Sequence, residues 1–491
     1  MSDILRRGRL ASVPDEEIIE YTSSMSADRW IFNSDILVDL AHTVMLKERN
    51  VIKAEDCRKI LEGLLKIREE GIEKLDHTYE DIHISLESRL IDMVGEDTGG
   101  RMHSGRSRND EVATCIRLTL RDELLLIMED LIGLRNTLID VASENVETLM
   151  PGFTHLQHAQ PTTLAHHLTA HANAIGRDFE RTRDCYSRVN RSPLGAAAFA
   201  STGFDLDRER TRTLLGFDGI VENSMDAVSS RDFLIETASV FANLMINLSK
   251  MAEELVIWST SEFAFIELDD RYASTSSIMP QKKNPDTAEL LRGKSGVAIG
   301  SLMSLISICK GLPLSYNRDL QEATPNIWRS LKTTRTSVRV MSGMIATMNI
   351  NKENMAGLAT AGFTTATELA DTMVRVCDIP FRTAHQIVGV LARGNGEPTL
   401  GEIDAVAHNV IGESLSGRGL TEQMVTEALD PILNVRKRTV TGGPSPDAMQ
   451  QLISNCKARS TEDEDSLNEL KTNVDSAMET LFGVVDDCRN T

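Results

Sequence analysis

Between Ser274 and Asp286 the chain reads STSSIMPQKKNPD: small hydroxyl residues, a Met-Pro pair, then two lysines and an asparagine before a second proline. These residue types suit the handling of an anion. Two prolines fix φ and remove two donors, so the stretch is excluded from a helix interior, and Pro285 is placed to open a helix near Asp286. Lys282, Lys283, Asn284 and the first free N–H groups of that helix would then face one negative group. The ordinary alternative for Lys-Lys-Asn-Pro alone is a solvated turn.

Other segments carry polar side chains in particular orders. THLQHAQP places His155 ahead of Pro161, which is expected to open the next long helix. HSGRSRND (His103 to Asp110) concentrates arginine and amide side chains, and an arginine there can grip a carboxylate through two parallel bonds. AHHLTAH sets His167 and His171 four apart on one helical face, but spacing supplies no third ligand and no H-E-x-x-H occurs, so no metal is expected. Gly-rich phosphate loops are missing too, so no nucleotide cofactor is expected.

The Ser274–Asp286 stretch resembles the signature loop of the fumarase/aspartase superfamily, GSSxMPxKxNP, with Thr275 where glycine is usual. Within that superfamily the chain is similar to the argininosuccinate lyases. EDIH (Glu80 to His83), HSGRSRNDEVAT (His103 to Thr114) and PGFTHLQHAQPTT (Pro151 to Thr163) carry the likeness, together with SPLGAAAFASTGFDLDRE, NSMDAVSSRDF and LPLSYNRDLQEA, and it spans roughly residues 15 to 460.

The resemblance implies a cofactor-free elimination of fumarate from argininosuccinate, with arginine as the other product. Such chemistry needs a base, a charge-stabilising pocket for the aci-carboxylate, and an acid for the leaving nitrogen. By resemblance the base is Ser276, with Ser277 its rival. Lys282 and the loop amides would stabilise its alkoxide, while Lys282 and Asn284 would hold the carboxylate that gathers charge. His155, paired with Glu289, would handle the proton of the leaving nitrogen, directly or through a water. Arg108 and Asn109 are implied to bind the substrate's carboxylates; Arg106 is either a partner in this or a structural ion pair. Ser24, Asp28, His83, Thr154, Tyr316 and Gln321 match substrate-contacting positions, Tyr316 and Gln321 facing the arginine half. Besides Thr275, four places depart from the family: Glu111 stands for glutamine, Cys115 for aspartate, Thr324 for lysine, and RRGRL is the nearest trace of an N-terminal Gly-Gly-Arg-Phe. Adenylosuccinate lyase or aspartase, and a catalytically silent crystallin-like relative, are the alternatives.

Long helices must position these residues. In 491 residues there are only 13 prolines and 4% aromatics, a composition poor in strand formers. Leu120, Leu124, Ile127, Leu131, Leu134, Leu138 and Val141 recur at alternating steps of four and three in a proline-free run. Phe241, Leu244, Leu248, Met251, Leu255 and Trp258 repeat the pattern, and two more proline-free segments follow Pro161 and Pro285. The expected fold is all-α, with a long-helix bundle whose stripes need partners along their length. The resemblance adds a homotetramer with five bundle helices from each subunit. It also implies an N-terminal domain to residue 105, a bundle domain 106–358 and a C-terminal helical domain 359–460. An acidic extension 461–491 departs from the family. In it Leu467, Leu470, Val474, Ala477, Leu481 and Val484 hold a heptad pattern that predicts an amphipathic helix docked on its own subunit, with a partner-binding coil the alternative, since so few heptads rarely sustain a coiled coil.

A net charge of −21 argues against nucleic acid or an anionic membrane as partner. No uncharged run reaches the ~20 residues of a membrane span, and the start lacks a signal-peptide core. Seven scattered cysteines without a C-x-x-C pair point to reduced thiols in a cytoplasm.

Overall fold

A computed structural model describes residues 15–394 and 396–490; the RRGRL segment lies outside them. Three N-terminal helices, α1 (Phe32–Glu48), α2 (Ala54–Glu70) and α3 (Ile82–Val94), share one apolar core with the helix that follows. That helix, α4 (Arg108–Ser143), is 36 residues long, about 54 Å at 1.5 Å per residue. Ser107 starts it with a capping box: its hydroxyl accepts from the Asn109 N–H, and Asp110 accepts the Ser107 N–H at 3.0 Å. Leu120, Leu124, Ile127, Leu131, Leu134 and Leu138 of the expected stripe are fully buried.

Four more long helices complete the bundle: α5 (Leu164–Val189), α6 (Asp232–Trp258), α7 (Asp286–Cys309) and α8 (Ala323–Thr347). Contacts between their ends fix the directions. Arg117 Nη1, near the start of α4, donates to the Arg188 carbonyl at the end of α5 at 2.9 Å. The Arg292–Glu253 pair sets the start of α7 beside the end of α6. Thr137 and Ser342 hydroxyls meet at 2.9 Å, so α4 and α8 run the same way. The bundle therefore has a near end, where α4, α6 and α8 begin, and a far end, where α5 and α7 begin.

The expectation that Pro161 opens a helix does not hold. Pro161 lies in a hairpin, β1 (Leu149–Thr154) with β2 (Gln157–Thr163), opposite Pro151, and α5 starts at Leu164 with the Thr163 hydroxyl accepting from the His166 N–H. A proline is tolerated in a two-stranded edge pairing, where its missing N–H faces away from the partner, and the threonine is the better cap.

A separate core, including Leu369, Met373, Ile387, Ile403, Leu415 and Val425, forms in the region after residue 360. The chain then returns as one 45-residue helix, α9 (Pro446–Asn490), which docks on its own chain against α1, α2, α4 and α5. Leu467, Val474, Leu481 and Val485 of the tail are buried in the main core, with Leu470 and Val484 partly buried against it. The tail helix is thus longer than its heptads alone suggest, because it continues an earlier helix without a break.

Candidate functional site

At the near end, segments far apart in sequence surround a cavity of about 440 Å³. Ser24, His83, Arg108, Asn109, Tyr316 and Gln321 all line it, as do Asp28 and Thr324. The walls are tied together by hydrogen bonds. Gln321 Nε2 and Arg318 Nη2 both donate to the Thr22 carbonyl, at 3.0 and 2.9 Å, and Asn109 Nδ2 donates to the Ala198 carbonyl at 3.0 Å. Trp30 stacks on Trp328 with centroids 5.5 Å apart, joining the N-terminal segment to α8. Asp110 accepts the Gly195 and Ala197 N–H groups, both at 2.9 Å, and so holds that loop against the start of α4.

Charge in this cavity is arranged in pairs. Ser24 Oγ donates to Asp28 at 2.6 Å, and Arg108 Nη1 lies 3.3 Å from Asp81. Burial pushes the Asp28 carboxyl up to about 6, with the nearby His83 charge pulling the other way. His83 is 5% exposed, and its Nδ1 stands 2.9 Å from Asp35 and 3.7 Å from Glu111. Burial alone would discharge this imidazole, but the facing carboxylates outweigh it and raise its pKa well above the ordinary histidine value. Its Nε2 has no partner among the described residues. Behind it Arg106 is buried and pairs with Asp39 and, at 3.0 Å, with Glu111, so it is a structural ion-pair partner. The Cys115 thiol donates to Asp35 at 3.5 Å. Both departures at 111 and 115 therefore touch the groups that hold His83.

The remaining expected residues lie elsewhere. Ser276, Lys282 and Asn284 occupy a loop closed by the pairing of β3 (Ser274–Thr275) with β4 (Lys283–Asn284), just before α7. Ser276 Oγ accepts the Met279 and Ile278 N–H groups at 3.0 and 3.3 Å. Lys283 is committed to Glu267 and Asp270, whereas among the described residues no such pair occupies Lys282. Thr154 and His155 sit at the hairpin tip, where His155 and Leu156 both adopt φ near +57°. A two-residue turn of this kind favours Asn-Gly, and two side-chain-bearing residues there store strain of a sort concentrated at functional sites. No ion pair joins His155 to Glu289 within the chain among the described residues.

Helix lengths set the gap between these groups. From the loop before α7 to the cavity segment after it is 24 helical residues, about 36 Å. From Arg108 to the end of α4, short of the His155 hairpin, is about 54 Å.

Residues 8–300 match the lyase family model, and residues 363–435 match the model for the argininosuccinate lyase C-terminal region. The chain is 84% identical to the argininosuccinate lyase of Methanococcoides burtonii over 488 residues, covering 99% of both chains. It is also 70% identical to that of Methanosarcina acetivorans across the full length of both.

This chain belongs to the argininosuccinate lyase family.

Among solved structures it is similar to EDDS lyase in complex with formate, with a TM-score of 0.88 and 32% identity over 97% of this chain and 95% of that one. A class II fumarase from Schistosoma mansoni, 15% identical with a TM-score of 0.69 over 82% of this chain and 90% of that one, shares the fold. The all-α fumarase/aspartase-like architecture is thus the fold of this argininosuccinate lyase family member.

Two groups escaped the reading of the sequence. Glu254 of α6 accepts from both His167 and His171, at 2.8 and 2.6 Å, supplying the third side chain that spacing along one helix could not reveal. Burial would raise its pKa, but the two imidazole bonds hold it down at about 2. Arg231 lines the near-end cavity; only its place within NSMDAVSSRDF hinted at a role.

Proposed function

We propose that this protein splits 2-(N-ω-L-arginino)succinate into arginine and fumarate, reversibly and without a cofactor. One observation carries the reading. A cavity of the size of a small metabolite collects Ser24, Asp28, His83, Arg108, Asn109, Tyr316 and Gln321 from four separate stretches of chain, in a family whose curated members act as argininosuccinate lyases.

In this reading Ser276 removes a proton from the carbon beside a substrate carboxylate. The two backbone N–H groups already bonded to its Oγ would stabilise the alkoxide that the step requires. The C–H electron pair moves into the aci-carboxylate, whose second charge Lys282 and Asn284 face. It then returns to form the C=C bond as the C–N bond breaks, leaving its electrons on the guanidino nitrogen. His155, oriented by Glu289, supplies the proton that this nitrogen takes up. Arg108 and Asn109 hold the carboxylates, and Ser24, His83, Thr154, Tyr316 and Gln321 complete the substrate's surroundings.

Since the two groups stand about 36 to 54 Å apart along one chain, we propose that each site is assembled from several chains of a homotetramer. The outward face of α7 supports this: Leu290, Ile299, Met303 and Ile306 are exposed there, and Gly293, Gly296 and Gly300 leave open space around them. The domain division at about 105, 358 and 460, and a cytoplasmic location, belong to the same proposal. Among the described residues no helix is long and apolar enough to cross a membrane.

The direct test is to add argininosuccinate and follow fumarate absorbance. Turnover of adenylosuccinate or aspartate instead would replace the substrate assignment, and no turnover of any of the three would favour the silent crystallin-like alternative.

A further inference from the structure

Three arginines line the near-end cavity, and two are committed: Arg108 to Asp81 and Arg318 to Glu80. The third, Arg231, has no carboxylate within ion-pair distance among the described residues. It is only 4% exposed, and its Nη1 donates to the Ser230 and Val228 carbonyls at 2.8 and 3.3 Å. Nε is buried without a partner, and Nη2 makes no hydrogen bond to the described protein. Burying a guanidinium this deeply with neutral partners on one edge alone is costly unless something else completes it.

Its surroundings increase that cost. Arg117, 4% exposed and likewise without a carboxylate partner, sends Nη2 to Ser230 Oγ at 3.4 Å and stacks over Phe233 at 3.9 Å. Two buried cations thus flank residue 230, and burial pulls both pKa values down. Tyr316 lines the same cavity as a neutral phenol, burial raising its pKa further. On the same cavity wall Thr324 stands where relatives carry lysine; it is buried, and its hydroxyl is turned to the Gln321 carbonyl at 2.9 Å. Among the described residues, Arg231 is the arginine of this cavity that no protein carboxylate balances.

We infer that Arg231 receives the α-carboxylate of the arginine half of the substrate, and that with Asp28 it makes the cavity selective for an α-amino acid end. An amino acid end carries one charge of each sign close together. Asp28, oriented by Ser24, meets the ammonium, and the free edge of the Arg231 guanidinium meets the carboxylate. Tyr316 and Gln321 then flank this end, and the guanidino end is left to point toward the chemistry.

The inference rests on the proposed lyase activity and is tested in the synthetic direction, with fumarate and either arginine or agmatine, which lacks the α-carboxylate. Wild-type protein that makes no argininosuccinate would overturn the activity itself. If the wild type is active, Arg231→Gln should raise KM for arginine by roughly 10- to 100-fold, the usual worth of a charge-assisted bond. KM for fumarate should stay nearly constant, and the preference for arginine over agmatine should fall by the same factor. Arg231→Lys, which keeps the charge, should recover part of both. The preference compares two co-substrates on the same folded enzyme, so partial unfolding cancels from it. An unchanged preference in Arg231→Gln, or a rise in KM for fumarate in place of arginine, overturns the inference.

Discussion

The near end of the bundle encloses its polar residues within one chain, whereas the far end presents them outward. Around the cavity His83 is buried between Asp35 and Glu111, Arg106 is locked by Asp39, and cross-links from Gln321 and Arg318 close the wall. The loop holding Ser276 has its neighbour Ile278 83% exposed, and His155 and Glu289 lie on the surface without each other. A recognition surface that must distinguish one metabolite gains from rigid, desolvated partners. Groups that act on the reacting atoms can instead be offered at a surface, provided a second chain covers them and excludes water there. On the proposed assembly, each chain would carry a receptor at one end and the acting groups for another chain's receptor at the other.

Changing the far end should have the largest consequence. Ser276→Ala removes the proposed base and no core volume, so turnover should fall by about three orders of magnitude or more while the unfolding temperature and substrate binding hold. Retention of most activity, or an equal loss from Ser277→Ala alone, would place the base elsewhere. Joining the two ends across chains is the next test. Arg108→Ala and His155→Asn proteins, each inactive, should regain activity after co-refolding, with roughly a quarter of sites drawing both intact residues from different chains. Inactive hybrids that are still tetrameric would overturn the shared site, since both ends would then have to serve one chain.

The pH dependence sharpens the near end by itself. A carboxyl raised to about 6 is protonated below that pH and charged above it, so an ammonium partner is lost as pH falls through about 6. The value of kcat/KM should therefore show an acid limb near pH 6, and Asp28→Asn should erase this limb while lowering the plateau by roughly 10- to 100-fold. An unaltered limb in that variant would assign it to another group. The smallest effect on turnover is expected from truncation after Ser460. It strips Leu467, Val474, Leu481 and Val485 from the core and the Asp463 partner from Arg135, so thermal stability should drop clearly. Turnover of the folded enzyme should stay within about twofold. Full stability without the tail would show that its buried stripe contributes little, and lost turnover at full stability would bring the tail into the site.

Much of this was legible in the chain itself. Steps of three and four along Leu120 to Leu138 specified a helix and its buried side, because the α-helical period is a local property of the backbone. The two prolines of the signature loop excluded helix there for the same local reason, and the order of residues around Ser276 carried the family. Pro161 misled, since a proline ahead of a helical run reads alike whether it begins the helix or sits in the hairpin before it.

What the sequence determined, then, is the helical periodicity, the breaks and the cast of reactive side chains, all fixed by contacts among residues a few positions apart. Tertiary structure alone decided the partnerships: Glu111 and Cys115 at His83 and Asp35, Glu254 between two histidines, and Arg231 left without a carboxylate among the described residues. It also decided that Arg108 and Ser276 stand at opposite ends of the bundle. The physical reason is that helix packing joins residues by direction and length rather than by sequence separation, so a charge's neighbours are set only once the helices lie side by side.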